Sequence, residues 1–112
     1  MDQMAIIEKY ETFIEYAYPI ANNIPRQHGA IKSVFLNLIV TLPGLIIEAG
    51  KTGQVSKLYV IDAKLSEIRY FLRFLSHSKR GIISVQQHRT MDTFLSEVGK
   101  MLGAWIKKKK SG

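Results

Sequence analysis

The chain has no cysteine. That excludes disulfides, thiolate metal sites and thiol nucleophiles, and it suits a reducing cytoplasm, which is the expected location. Long apolar runs are also missing. The longest uncharged stretch, residues 33–47, is 15 residues long and contains Asn37 and Pro43. A spanning helix needs roughly 20 apolar residues, so this stretch reads as a core helix and no membrane partner is expected. No leader segment is expected either, because Glu8, Lys9 and Glu11 follow Met1 closely and leave no uncharged h-region. Acidic residues are scarce beyond the first segment. Residues 1–25 hold one base (Lys9) and four acids (Asp2, Glu8, Glu11, Glu15), giving −3, whereas residues 26–112 hold 15 bases and 5 acids, giving +10, for a total of +7. An excess of this sign suits a polyanionic partner.

Catalytic signatures are lacking as well. His28, His77 and His88 do not have the spacing of a metal motif, and there is no P-loop, GxGxxG or GxSxG. Glu8, Glu11 and Glu15 lack the Glu-x-x-His companions of di-iron bundles. No metal, no cofactor and no enzymatic activity are expected.

What the chain does have is helical periodicity. Its 112 residues allow one domain, and four amphipathic segments fill it: residues 4–22, 27–49, 54–77 and 84–108. The first carries Ile6, Ile7, Tyr10, Phe13, Ile14, Ala17, Ile20 and Ala21 on one face and the three glutamates on the other, with Pro19 expected to kink its last turn. The second carries Ile31, Val34, Phe35, Leu38, Leu42, Leu45 and Ile46. Pro43-Gly44 should bend or interrupt it, and Gly50 is the candidate left-handed C′ residue. The third has the strongest pattern, Leu58, Ile61, Leu65, Ile68, Leu72 and Leu75 at alternating spacings of three and four. The fourth opens at a candidate N-cap, Ser84. It buries Met91, Phe94, Leu95, Val98, Met101, Leu102, Trp105 and Ile106, then frays through the basic run at residues 107–110. Short connections between four such helices give an all-α, antiparallel four-helix bundle.

Five features stand outside the core pattern. Val60, Ala63, Tyr70 and Phe74 lie on the far side of the third helix from its seam, where a small bundle cannot bury them, and they read as a subunit interface. Arg69 and Arg73 are four apart, a like-charge spacing that costs roughly 0.2–0.5 kcal/mol and needs an anion nearby. That anion is either a carboxylate, such as the acidic stripe of the first helix, or a bound phosphate. Lys57 and Lys64 flank the same seam. Gly99 and Gly103 sit at the edge of the fourth helix's stripe, where close approach of another helix would account for them. The tail Lys107, Lys108, Lys109 and Lys110 could touch nucleic acid.

The succession Tyr18-Pro19-Ile20-Ala21, Ile24-Pro25-Arg26, His28-Gly29, Ala49-Gly50-Lys51, Gln54-Val55-Ser56-Lys57-Leu58-Tyr59, Asp62-Ala63, Leu72-Arg73-Phe74-Leu75, Glu97-Val98-Gly99, Leu102-Gly103 and Trp105-Ile106 resembles the accessory variability determinant (Avd) proteins of diversity-generating retroelements. These elements belong to bacteria and their phages, and the resemblance covers residues 4–106. It implies a four-helix bundle assembled as a homopentameric barrel, with a basic surface that binds nucleic acid (RNA, DNA or both). It implies association with the element's reverse transcriptase and template-repeat RNA, in support of adenine-directed mutagenic cDNA synthesis and retrohoming, with catalysis left to the reverse transcriptase. On the family's pattern, Arg69 and Arg73 match basic residues late in the third helix. Arg26 matches the Ile-Pro-Arg, Lys57 the Val-Ser-Lys-Leu-Tyr, and Lys9 the basic residue before Tyr10. Pro43 departs from the family's uninterrupted second helix. The alternative is a protein-only scaffold that docks an acidic partner, related to the small bundles encoded in ribosomal RNA intervening sequences.

Overall fold

The computed structural model describes residues 3–111. Four helices account for most of it: α1 (Gln3–Asn22), α2 (Gly29–Thr52), α3 (Val55–Ser76) and α4 (Val85–Ser111), with a single 3-10 turn at Arg26–His28. They run up and down in order, and α1 meets α2 and α4 while α3 meets α2 and α4. The diagonal pairs do not approach one another among the described residues. Each helix therefore has one buried stripe and one outer face, as an antiparallel bundle requires.

The buried stripes follow the sequence periodicity closely. All six seam residues of α3 are buried, as are Ile6, Tyr10, Phe13, Ala17 and Ala21 of α1 and Met91, Leu95, Val98, Leu102 and Trp105 of α4. In α2 the stripe is rotated slightly from the expected one: Val34 is exposed, while Ile39 and Ala49 are buried. Ile24 and Ile83, one in each of the longer connections, are also buried and tie those connections to the core.

Pro43 does not interrupt α2, which is continuous across it. A proline at this position removes the N–H that would bond the Ile39 carbonyl. In this fold the Tyr10 hydroxyl of α1 donates to that carbonyl at 2.6 Å. Burial pushes the Tyr10 phenol well above its ordinary pKa, so it stays a donor. Pro19 likewise lies within α1, which continues to Asn22.

Two helix ends differ from expectation. Gly50 is inside α2, and the left-handed residue is Gly53 (φ 68°), whose N–H bonds the Ala49 carbonyl at 3.0 Å. Gly50 serves a different purpose: the Gln3 side-chain amide occupies the space a Cβ would need there. At the other end of the chain, residues 107–110 do not fray but continue α4 to Ser111. The start of α4 is a capping box. The Ser84 hydroxyl accepts from the Gln87 N–H at 3.0 Å, and the Gln87 amide oxygen accepts from the Ser84 N–H at 2.9 Å.

The uncharged run 33–47 belongs to a longer unit than the sequence reading gave it. Arg26–Thr52 is long and apolar enough to cross a membrane by length and composition. Six residues of α2 pack into the bundle, and a core helix passes the same test.

Candidate nucleic-acid interface

Sixteen Lys and Arg side chains face nine carboxylates in the sequence, and the structure sorts them into paired and free. Lys9 pairs with Glu97 (2.9 Å), Lys57 with Glu48 (3.0 Å) and Lys64 with Glu67 (3.3 Å). These partners are about half exposed, so each pair contributes little stability, on the order of 0–1 kcal/mol. They do lower the free charge at three of the expected basic site residues.

Arg69 reaches across to α4 rather than to the acidic stripe of α1. Its Nε donates to Asp92 at 2.9 Å, and its guanidinium also donates to the Ser96 hydroxyl. The anion that the Arg69–Arg73 spacing calls for is thus, in part, Asp92. Arg73, one turn on, has no carboxylate partner among the described residues and is exposed. It borders two adjoining hollows, one shared with Ser66, Arg69, Tyr70, His88 and Asp92, the other with Tyr70, Phe74, His77 and Arg80. The Arg80 guanidinium lies 3.7 Å above the Phe74 ring, a cation–π distance. Phe74 is half-buried and packs against the core, so it is not the open interface residue that its position predicts.

The up-down order places Arg26, in the 3-10 turn, at the same end of the bundle as Arg73 and Arg80. Residues 107–110 lie at the opposite end. There Gly103, Ile106, Lys107, Lys110 and Ser111 line a third hollow, and the Lys110 ammonium lies 6.0 Å from the Tyr59 ring. Gly99 and Gly103 lie on the side of α4 nearer α3. A Cβ at either would meet nothing within 4 Å, so the close helix approach expected of them does not occur within the bundle. They instead leave open space on this side of α4, between the hollow at the Arg73 end and the one at the Lys110 end. The unpaired Glu8, Glu11 and Glu15 are exposed on α1, the helix diagonal to α3.

Val60 and Ala63 are exposed on the outer side of α3, with Tyr70 further along it. A second apolar stripe was not singled out from the sequence. Leu36, Val40, Pro43 and Ile47 recur at spacings of four, three and four on α2, with Val40 and Ile47 exposed, as are Met4 and Tyr18 of α1. Tyr59, His77, Arg80 and His88 were not picked out as binding residues from the sequence. Tyr59 and Tyr70 are three turns apart, which is a signal that periodicity could have supplied. The Arg80 contact with Phe74 depends on a loop path that it could not. No group of three or more His, Asp or Glu suited to a metal ion occurs among the described residues.

A family model described as bAvd-like matches residues 4–109. Among curated proteins, none matches.

Proposed function

The chain belongs to the bacterial Avd (accessory variability determinant) family, whose members are non-catalytic accessory proteins of diversity-generating retroelements, and from that premise we propose that it binds the element's RNA or cDNA through the α3–α4 side while holding its reverse transcriptase. The observation that carries this reading is the sorting of charge. Free cations border hollows at the two ends of the α3–α4 side (Arg73 and Arg80 at one, Lys107 and Lys110 at the other), and three of the free carboxylates (Glu8, Glu11, Glu15) occupy the helix diagonal to α3. A phosphate chain is drawn to the first side and repelled from the second. Arg73 is the principal phosphate contact. Arg69 is a positioning residue that neutralises Asp92, Arg26 and the tail 107–110 extend the basic ends, and Lys9, Lys57 and Lys64 add peripheral field.

In this reading the protein works as a ring of copies, with five copies on the family's pattern. A ring needs two different faces that fit each other. The apolar outer side of α3 at Val60 and Ala63 is one candidate. The Val40–Ile47 stripe of α2 is the other.

The test is RNA affinity against salt concentration. Arg73→Glu with Arg80→Glu should weaken binding and reduce the magnitude of the log–log salt slope by about two, roughly one per lost phosphate contact. Affinity and slope equal to wild type would overturn the reading. Co-purification with the reverse transcriptase, with and without nuclease, separates it from the protein-only scaffold, which predicts nuclease-resistant capture and no RNA affinity.

A further inference from the structure

We propose that the α3–α4 side forms a groove for an unpaired nucleic-acid strand and that Tyr70 and Tyr59 are the platforms on which its bases stack. This rests on the nucleic-acid reading above and adds the form of the ligand and the groups that hold its bases. Tyr70 is 53% exposed and Tyr59 45% exposed, unusual for large rings on a helix whose seam is fully buried. Eleven residues separate them, which is three helical turns. The two rings therefore project on nearly the same side, about 16 Å apart at 1.5 Å per residue.

Each ring has cations beside it. Tyr70 borders both hollows that Arg73 lines, and the Lys110 ammonium stands 6.0 Å from the Tyr59 ring. Tyr70 is also braced: Phe71 meets it edge-on with centroids 5.5 Å apart, and Phe74 lies at 6.5 Å. Phe74 is itself covered by Arg80. A ring held in this way loses little freedom when a base stacks on it. Between the two ends, Gly99 and Gly103 leave space, and Arg69 holds the Asp92 carboxylate so that it does not face a phosphate alone. Asp62 is the carboxylate on this side of α3 without a cation partner among the described residues, and it divides the basic field into two ends.

Phosphate contacts alone would serve a duplex equally well. Exposed aromatic faces serve only bases that are not already stacked in a helix, and they do so with little regard to sequence. An unpaired strand with its phosphates at the Arg73 and Lys110 ends uses both features.

The experiment compares the affinity of a short oligo(U) with that of an RNA duplex of equal length, for the full chain and its variants. Tyr70→Ala and Tyr59→Ala should each weaken oligo(U) binding about ten-fold, within the range of base–aromatic stacking. Tyr70→Phe should bind as wild type does, and no variant should change duplex affinity. Gly103→Leu, which fills the groove, should weaken oligo(U) binding as well. Alanine variants that bind oligo(U) normally would overturn the proposal, as would equal losses for oligo(U) and duplex. A change in oligomer mass on Tyr70→Ala would also overturn it, since the ring would then be a subunit contact. If the wild-type chain binds neither RNA, the broader reading fails too. Binding of both with no dependence on the tyrosines defeats this inference alone.

Discussion

Pro43 and Tyr10 are best understood together. The proline leaves the Ile39 carbonyl without its helical donor, and the Tyr10 hydroxyl supplies one from another helix at 2.6 Å. Tyr10→Phe should therefore cost about 1–3 kcal/mol, the range for a buried acceptor left unpaired. In a Pro43→Ala background the N–H returns, and the same substitution should cost clearly less. Equal costs in both backgrounds, measured by denaturant unfolding, would refute the coupling. The phenol also gives alkaline stability a sign. Its pKa is raised in the fold, so its contribution is complete below the unfolded value of about 10 and declines as pH rises beyond it. Tyr10→Phe should flatten that decline. The sequence marks Pro43 as a problem for α2. It cannot show the remedy, because nothing local links two residues from different helices. The fate of Arg69 is hidden in the same way: spacing calls for an anion, but only the packing of α3 on α4 names Asp92.

At the scale of the helix, the alternating apolar spacing was enough to find all four elements and nearly every buried position. That is because burial in a bundle is a property of one face, and faces recur with the turn. Ends follow different rules. Gly50 and Gly53 are equally plausible stops in sequence, and the choice falls to Gly53 because α2 stays packed through Ala49. The glycines of α4 were misread because their effect depends on what lies opposite them. Since a Cβ at Gly99 or Gly103 meets nothing within 4 Å, alanine there should recover helix propensity without a clash. Each of Gly99→Ala and Gly103→Ala should stabilise the protein by about 1 kcal/mol, raising the thermal midpoint. A loss of stability would mean that a neighbour approaches these glycines after all. Ser84→Ala, by contrast, removes half of a capping box and should cost on the order of 1 kcal/mol.

For the whole molecule, the decisive property is that its faces differ. The unpaired cations gather along α3 and α4, most of the unpaired carboxylates on α1, and exposed apolar side chains lie on α2 as well as on α3. The sequence made the charge asymmetry and the α3 patch legible. It did not show the α2 stripe, because Val40 and Ile47 look like core residues until the buried side of the helix is known. If copies meet in a closed ring, one face of each must fit a different face of the next, and the α2 stripe is the apolar face farthest from the α3–α4 side proposed for nucleic acid. Val40→Glu with Ile47→Glu places two charges on that stripe while leaving every buried residue untouched. The helical content and cooperative unfolding of the single chain should survive, and the mass by light scattering should fall to that of a monomer. RNA affinity should fall with it, because a ring presents several grooves to one strand and a monomer presents one. An unchanged mass would remove the α2 stripe from the interface. A monomer that keeps full affinity would show that a single groove suffices and that the ring serves some purpose other than multivalent binding.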